Sequence, residues 1–211
     1  MTPAETGRKC GVAGHACGGL AVVLSGPSGA GKTTVCRRLI AQYGYERSIS
    51  ATTRPPRARE REGVDYHFMT RERFLEGVRR GEFLEHSEHF ENLYGTPREP
   101  VERALRQGRT IILEIDINGA RQVMERLPAQ ERFCIFLTAP DAREQERRLR
   151  SRRTEGEEAV RTRLQRADEE LAQGLRYDAR VENVAVERTV LEVHEYIQKA
   201  EARKNDGCGP A

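Results

Sequence analysis

Three short runs of apolar residues stand out in a chain whose other segments are dense in charge. They cover residues 20–24, 110–115 and 133–137, and each is five or six residues long. Runs of this length between polar segments are typical of strands that are buried on both faces of a parallel sheet. Apolar residues at helical spacing predict helices at 98–107 and 117–126. The alternation predicts an α/β fold, a parallel-sheet core with helices on both faces.

The stretch from about residue 47 to 97 departs from this pattern. Its segments are shorter, they alternate apolar and polar residues, and glycines and prolines separate them. We predict strands at 47–53, 65–69 and 83–90, a helix at 71–80 and a turn at 94–97. The stretch is therefore predicted to be a small α+β region inserted into a core of residues 19–46 and 98–203.

Near the two ends of the chain, apolar residues follow neither the alternation of a strand nor the spacing of a helix. Residues 1–18 are rich in Gly and Ala and predict a disordered leader, and residues 204–211 predict a loose tail. The globular part is then 19–203. Its last third predicts a helix capped by Asp141, a long charged helix at 157–175, a weak strand at 180–186 and a closing helix at 187–203.

Composition narrows the class of protein. The 211 residues include 36 basic and 33 acidic side chains, for a net charge of +3, which argues against a dedicated nucleic-acid binder. No apolar run approaches the ~20 residues that a membrane span needs, and the N-terminus lacks a hydrophobic signal segment. The five cysteines form no CxxC pair, which favours a reducing, cytoplasmic setting. Cys10, His15 and Cys17 lie close together but lack a fourth metal ligand.

The strongest motif follows the first apolar run. Residues 26–33 match GxxxxGK[ST], and an amphipathic segment with helical spacing follows them. Glycines let the backbone curl so that successive N–H groups point at one anion, and the dipole of the next helix reinforces them. Lys32 is expected to reach the outer phosphates of a nucleoside triphosphate, and Thr33 to offer its hydroxyl to Mg²⁺. The residues predicted to bind this nucleotide are Gly26, Pro27, Ser28, Gly29, Ala30, Gly31, Lys32, Thr33 and Thr34.

Three further groups of residues narrow the class of substrate that the protein could bind. Arg54 and Arg57 lie three residues apart in a proline-fixed turn, which suits a clamp on a second phosphate, although spacing alone equally fits a solvated pair. Glu85 stands in an apolar setting, where a carboxylate could accept both N1–H and the exocyclic amine of guanine but would repel adenine. Tyr94 and Thr96 place a phenol and a hydroxyl close together. Taken singly, Glu85 could be an ordinary exposed residue and Tyr94–Pro97 a plain surface turn.

Together these motifs resemble the guanylate kinase family, a family of P-loop nucleoside monophosphate kinases. The resemblance extends from about Leu20 to Ile197. It rests on the segments GPSGAGKTT, SISATTRPPR, EGVDYHF, FLE, YGTP, LEIDINGA and RLRSRRT, in that order. It implies transfer of the γ-phosphoryl group of ATP to GMP, and to dGMP as well, in purine nucleotide metabolism. It also implies that the insert binds GMP and that residues from about 141 to 165 form a helical lid.

The resemblance also assigns roles to individual residues. The guanine base would be bound by Ser50, Glu85, Thr96 and Asp116, and the GMP phosphate by Arg54, Arg57, Tyr66 and Tyr94. Glu114 would brace the arginine pair. Arg148 and Arg152 in the lid, with Arg163, would close on the ATP phosphates, and Asn183 would meet the adenine. The expected catalytic residues are Lys32, Arg54, Arg57, Arg152 and Arg163.

The chain departs from the family pattern at a few positions. Arg59, Glu91 and Arg153 stand where glycine is more usual, and Val184 stands where Asp is preferred. None of these changes removes a predicted phosphate or guanine contact. We weighed three other functions: a non-catalytic binding module, a kinase for another phosphorylated small molecule, and a switch GTPase. The sequence Asp116–Gly119 matches the DxxG motif of a GTPase, but no NKxD motif accompanies it.

Overall fold

A five-stranded parallel sheet forms the centre of the structure, a computed structural model that describes residues 18–89, 91–151 and 177–206. In chain order the elements are β1 (Leu20–Ser25), α1 (Lys32–Tyr43), β2 (Glu46–Arg47), β3 (Ala51–Thr52), β4 (His67–Phe68), α2 (Arg71–Arg79), β5 (Phe83–His89), β6 (Asn92–Pro97), α3 (Arg98–Arg106), β7 (Thr110–Glu114), α4 (Ile117–Arg126), a 3₁₀ turn (Ala129–Glu131), β8 (Arg132–Thr138), α5 (Ala142–Ser151), β9 (Ala179–Glu182) and α6 (Val186–Asp206). The sheet order is β2-β7-β1-β8-β9, and each strand pairs with its neighbour in parallel.

Strand β1 lies at the centre of this sheet, and all its residues are buried. Its alternate side chains pack on opposite faces because successive residues of a strand point in opposite directions. Leu20, Val22 and Leu24 pack with α1 and α6, while Ala21 and Val23 pack with α3 and α4. Burying a Val or Leu side chain contributes roughly 1.5–3 kcal/mol. The predicted α/β core with helices on both faces is confirmed.

A second sheet is formed by the inserted stretch, with strand order β4-β3-β6-β5. Strand β3 pairs in parallel with β4 and antiparallel with β6, and β6 also pairs antiparallel with β5. Its own core is small and consists of Ala51, Phe74, Phe83 and Leu93. The rings of Phe74 and Phe83 stack with their centroids 4.4 Å apart. Helix α2 covers this sheet, as the predicted α+β character of the insert requires.

The predicted strand at 47–53 is wrong as a single element. Its start belongs to β2 in the central sheet, whereas Ala51 and Thr52 form β3 in the smaller sheet. The chain changes sheets over residues 48–50, where the Ser48 N–H still donates to Ile112 O at 3.0 Å. Alternation of apolar and polar residues gives the face of a strand but not the sheet it joins, so the sequence could not reveal this change.

The predicted turn at Tyr94–Pro97 is also wrong, because these residues lie in β6. Glycine and proline favour a turn when they are considered locally, but pairing with β3 and β5 overrides that preference. The hairpin turn lies earlier, around Glu91, whose φ of 63° is left-handed. At the C-terminus, residues 204–206 were predicted to belong to the loose tail but lie in α6, which continues to Asp206, and residues 207–211 lie outside the described residues.

Other predictions lie wholly or partly outside the described residues. These are the leader up to residue 17, the cluster of Cys10, His15 and Cys17, the long helix at 157–175 and the lid beyond residue 151. The predicted helix cap is confirmed, since Asp141 Oδ1 accepts the Glu144 N–H at 2.7 Å. No helix within the described ranges combines the length and the apolar character needed to cross a membrane.

Candidate active site

The predicted site residues gather at the carboxyl edge of the central sheet. The loop 26–31 follows β1, and Asp116 follows the neighbouring strand β7. In parallel α/β sheets this edge is where ligands bind. The strand, loop and helix that the GxxxxGK[ST] motif requires are all present, because β1, this loop and α1 follow one another without interruption.

The loop between β1 and α1 has the backbone of a phosphate-binding loop. Gly26, Gly29 and Gly31 have φ values of 142°, 86° and 92°, which are unfavourable for residues with a side chain. The Lys32 ammonium folds back over the loop and donates to Gly26 O at 2.5 Å and to Pro27 O at 3.1 Å. Thr34 is exposed in the first turn of α1. The loop therefore presents a curled backbone, a cation and the positive end of a helix dipole at one place.

Thr33 contacts the central sheet at its carboxyl edge. Its hydroxyl donates to the Glu114 carboxylate at the end of β7, and Arg47 Nη2 lies 3.7 Å from the other oxygen of Glu114. A hydroxyl and a carboxylate are the oxygen ligands that Mg²⁺ prefers, so this pair fits that ion. Glu114 was expected to brace Arg54 and Arg57, but the arginine beside it in the structure is Arg47, for which the sequence predicts no role.

A cavity of about 420 Å³ joins the P-loop side of the site to the insert. Thr33 and Glu114 line its wall on the core side, and Arg57, Glu60 and Tyr66 line it on the insert side. Cavities of a few hundred Å³ are typical of small-molecule sites. Residues predicted to lie at two different phosphate groups therefore face one shared cavity.

The two predicted clamp arginines differ in their surroundings. Arg54 is half-buried, and its Nη2 lies 2.9 Å from each carboxylate oxygen of Glu60, which also accepts the Arg57 N–H at 2.8 Å. Burial alone lowers the pKa of Arg54, but hydrogen bonds to Glu60 and Tyr94 outweigh it and raise that pKa above its ordinary value. Arg57 is exposed at the rim of the cavity. Glu60 therefore fixes the turn, a role that its place in a charged loop did not signal.

Two tyrosines continue the wall beyond Arg54. The Arg54 guanidinium lies 5.6 Å from the centroid of the Tyr66 ring, within the range of a cation–π contact. The rings of Tyr66 and Tyr94 meet edge to face at 6.1 Å. The structure thus brings together Arg54, Tyr66 and Tyr94, which are far apart in the sequence and were predicted to share one phosphate.

Glu85 is a buried carboxylate with 3% relative exposure. Thr96 Oγ1 donates to its Oε1 at 2.7 Å. Burial raises the pKa of Glu85 to about 7, although the Thr96 hydrogen bond opposes that rise. The other carboxylate oxygen lies against Gly119 of α4, where a Cβ atom would be only 2.5 Å away. Glycine at position 119 therefore makes room for this carboxylate.

Asp116 lies close to Glu85 and caps α4, because its Oδ1 accepts the Gly119 N–H at 2.6 Å. Its Oδ2 accepts from Ser87 Oγ at 2.8 Å and contacts His89 Nε2. Burial alone raises the pKa of Asp116, but the hydrogen bonds from His89, Gly119 and Ser87 lower it below its ordinary value. Ser87 and His89 were missed, although the spacing 85, 87, 89 places all three residues on one face of a strand.

The remaining predicted site residues differ in their burial and in their hydrogen-bond partners, and two of them are not described by the structure. Ser50 is half-buried, and its carbonyl accepts the His67 N–H at 2.9 Å. Arg148 on α5 donates to Glu144 at 2.7 Å and to Asn183 O at 2.9 Å. Asn183 is 1% exposed and contacts the P-loop. Arg152 and Arg163 lie outside the described residues.

Three of the departures from the family pattern, Arg59, Glu91 and Val184, are described by the structure, and each is exposed. Arg59 is exposed in the charged loop after Arg57, and Val184 is 61% exposed beside Asn183. Glu91 occupies the left-handed hairpin turn, a conformation that explains why glycine is more usual there. Arg153 lies outside the described ranges.

Comparisons with known proteins agree with this geometry. The family model for guanylate kinase matches residues 19–200. A guanylate kinase from Paramagnetospirillum magneticum is 43% identical over 176 residues, which cover 83% of this chain and 82% of that protein. A guanylate kinase from a Synechococcus strain is 45% identical over 181 residues, 85% of this chain and 96% of that protein. The crystal structure of a guanylate kinase from Anaplasma phagocytophilum is similar with a TM-score of 0.72 and 32% identity, covering 88% of this chain and 87% of that one. The chain therefore belongs to the guanylate kinase family.

Proposed function

We propose that this protein transfers the γ-phosphoryl group of ATP to GMP and releases ADP and GDP. The observation that carries the proposal is the cavity in which Thr33, next to the P-loop lysine, faces Arg57 and Tyr66 of the insert. Phosphoryl transfer between two nucleotides requires two phosphate sites that meet in one cavity. The family membership of the chain gives the same reaction.

On the donor side, the backbone of residues 26–31 would cradle the phosphates of ATP, and Lys32 would neutralise the outer ones. The Lys32 ammonium donates to Gly26 O and Pro27 O, which places it over the loop. Thr34, which lies in the same first turn of α1 as Lys32, would also bind ATP. Arg148 on α5, together with Arg152 and Arg163, would add positive charge from the lid.

Thr33 would hold Mg²⁺ together with the ATP phosphates, and Glu114 lies beside it as a hydrogen-bond partner. When bound, the ion supplies positive charge at the β- and γ-phosphate oxygens. Because Mg²⁺ usually keeps several waters and binds through one or two protein oxygens plus phosphates, a site of this size suffices.

On the acceptor side, Arg54, Arg57, Tyr66 and Tyr94 would hold the GMP phosphate. Glu85 and Asp116, with Ser50 and Thr96, would bind the guanine base. A carboxylate at Glu85 accepts hydrogen bonds but cannot donate them, so it matches the N1–H and the amine of guanine and repels N1 of adenine. These contacts are to the base and the phosphate and not to the ribose, so we propose that dGMP is accepted too.

The protein's part in the chemistry is to position the nucleotides and to supply charge. Two polyanions repel one another in water, and cationic groups on both sides of the cavity lower the cost of bringing them together. We propose a core of residues 19–46 and 98–203, an insert of residues 47–97 and a lid of about residues 141–165. Closure of the lid over the core would exclude water and so prevent hydrolysis of ATP. We propose a cytoplasmic location, which the free, buried Cys36 and Cys134 support.

The test is a coupled assay of ADP release from purified protein with ATP, Mg²⁺ and each of GMP, dGMP, AMP, CMP and UMP. We expect GMP to exceed AMP in kcat/KM by a factor of roughly 10⁴, as expected for a site that hydrogen-bonds polar groups of its substrate. Assays without an acceptor measure ATP hydrolysis and are the control. Turnover of AMP at a rate close to that of GMP would contradict the proposal.

A further inference from the structure

We propose that Asn183 is a positioning residue for the P-loop and that it does not read the adenine base. It lies between β9 and α6, and each polar group of this residue has a protein partner. Its Nδ2 donates to Ala30 O at 2.8 Å, and its Oδ1 accepts from Thr189 Oγ1 at 3.1 Å. Its backbone N–H donates to Thr138 O at 2.8 Å, and its carbonyl accepts from Arg148 Nη2 at 2.9 Å.

The contact with Ala30 bears directly on phosphate binding. In a trans peptide the C=O and the N–H that follows it point in opposite directions. When Asn183 holds the carbonyl of Ala30, it also fixes the direction of the Gly31 N–H, on the other side of the same peptide plane. That N–H belongs to the loop whose amides would cradle the ATP phosphates. Asn183 therefore preorganises one donor of the cradle before the nucleotide arrives.

Gly31, the last glycine of the motif, leaves the space that this contact needs. A Cβ atom at Gly31 would lie 2.3 Å from Asn183 Nδ2, closer than any side chain could tolerate. Its φ of 92° is the second reason that glycine is needed there. The amide of Asn183 therefore occupies the space that the missing side chain leaves.

Burial argues against contact with adenine. Asn183 and Thr189 are each 1% exposed, so the amide cannot reach a base without leaving both partners. Such a move would leave Ala30 O buried and unpaired, which is unfavourable. The next residue, Val184, is 61% exposed, and its side chain can offer a base only apolar contact.

Thr189 allows a test at a distance from the nucleotide. It holds Asn183 from the first turn of α6, and its own N–H donates to Ala185 O at 2.9 Å. Thr189→Val removes the hydroxyl and keeps the shape, whereas Thr189→Ser keeps the hydroxyl. This inference rests on the proposed ATP:GMP transfer, because its readouts are the kinetic constants of the two substrates.

For Thr189→Val we expect the KM for ATP to rise about 3- to 10-fold, the effect of losing one hydrogen bond. The KM for GMP should stay within about twofold of wild type. The preference for ATP over GTP as donor, given by the ratio of their kcat/KM values, should also stay within about twofold. Neither quantity depends on the direction of one loop amide. Thr189→Ser should restore the KM for ATP. Asn183→Asp, which replaces the donor to Ala30 O by a carboxylate, should raise it by more than tenfold.

Two results would overturn the inference. The first is a Thr189→Val protein whose KM for ATP equals that of wild type. The second is an Asn183→Ala protein whose preference for ATP over GTP collapses, as expected of a residue that reads adenine. Thermal melting of each variant shows whether it is folded at the assay temperature. If the wild type transfers no phosphoryl group to GMP, the proposed function fails, and the Kd for ATP of the same variants, measured by calorimetry, decides the role of Asn183.

Discussion

The two proposed halves of the active site are built from different parts of the chain. The donor half consists mainly of backbone groups in a loop whose conformation its glycines and Asn183 fix. The acceptor-base half consists of side chains on β5 and β6 and at the N-terminus of α4, with two carboxylates, Glu85, which is buried, and Asp116, which is half-buried. A backbone cradle binds any triphosphate, because it recognises phosphate. A buried carboxylate selects one base, but it can be protonated.

This difference implies that changes in the two halves have different consequences. Damage to the donor half should stop turnover whatever the acceptor, whereas damage to the acceptor-base half should alter selectivity and pH dependence.

Lys32→Ala should reduce kcat by at least about 10²-fold, because it removes the cation placed at the transferred phosphoryl group. The KM for GMP should remain within about threefold, since the ammonium contacts the donor loop. Steady-state kinetics with ATP and GMP measure both constants, and circular dichroism monitors the fold. Lys199→Ala, a change of an exposed lysine on α6, is the control. Turnover like that of wild type would remove Lys32 from the mechanism.

Glu85→Gln should lower kcat/KM for GMP by roughly 10- to 100-fold, because the amide presents a donor where guanine offers donors. The KM for ATP should change less than twofold. The matched control is Glu88→Gln, the same substitution at an exposed position of the same strand. If both substrates lost affinity equally, Glu85 would have a structural role and no role in base selection.

The pH dependence should distinguish the two halves in the wild type. Burial raises the pKa of Glu85 to about 7, so below that pH the free site is mostly protonated and has lost an acceptor for guanine. The KM for GMP should therefore rise by up to about tenfold for each pH unit below 7, while the KM for ATP changes little. GMP's own phosphate also titrates near pH 6. Glu85→Gln provides the baseline, and the excess pH dependence should vanish in it.

The same pKa predicts an effect on stability. Between the ordinary value of 4.5 and about 7, the folded state binds a proton at Glu85 that the unfolded state has released. The free energy of unfolding therefore falls as pH rises through that window. Glu85→Gln, which stays neutral, should raise the melting temperature at pH 8 relative to wild type, and this gain should shrink towards pH 4.5. A lower melting temperature at pH 8 would contradict the assigned cost of burying the charge.

The smallest effect is expected at the hairpin turn. Glu91 has a φ of 63°, so Glu91→Gly should relieve backbone strain and stabilise the protein by about 0.5–1 kcal/mol. For a chain of this size that corresponds to a rise of about 1–4 °C in melting temperature. Turnover should be unchanged. Gly81→Ala is the reverse control, because φ is 68° there and no atom lies within 4 Å of the added Cβ. A fall in melting temperature for Glu91→Gly would refute the argument.

Features of the chain that depend on local sequence could be predicted, and features that depend on pairing partners could not. The three apolar strands and the P-loop were found because a run of buried residues and a spaced motif need no partner to be recognised. Residues 47–53 and 94–97 were mispredicted because sheet membership is decided by strands distant in sequence. The role of Glu60 was missed, and so was the contact of Asn183 with the P-loop, because both depend on partners that only the folded structure reveals, Arg54 and Ala30.

The absent side chain at Gly119 has a consequence for exchanging parts between kinases. The carboxylate proposed to choose the base comes from the insert, but the space it occupies is provided by a helix of the core. A chimera that receives residues 51–97 from this chain would inherit its base preference only if the recipient also has glycine at the position of Gly119. If Glu85 selects the base, substrate choice is not a portable property of the insert, because it depends on two separate stretches of the chain.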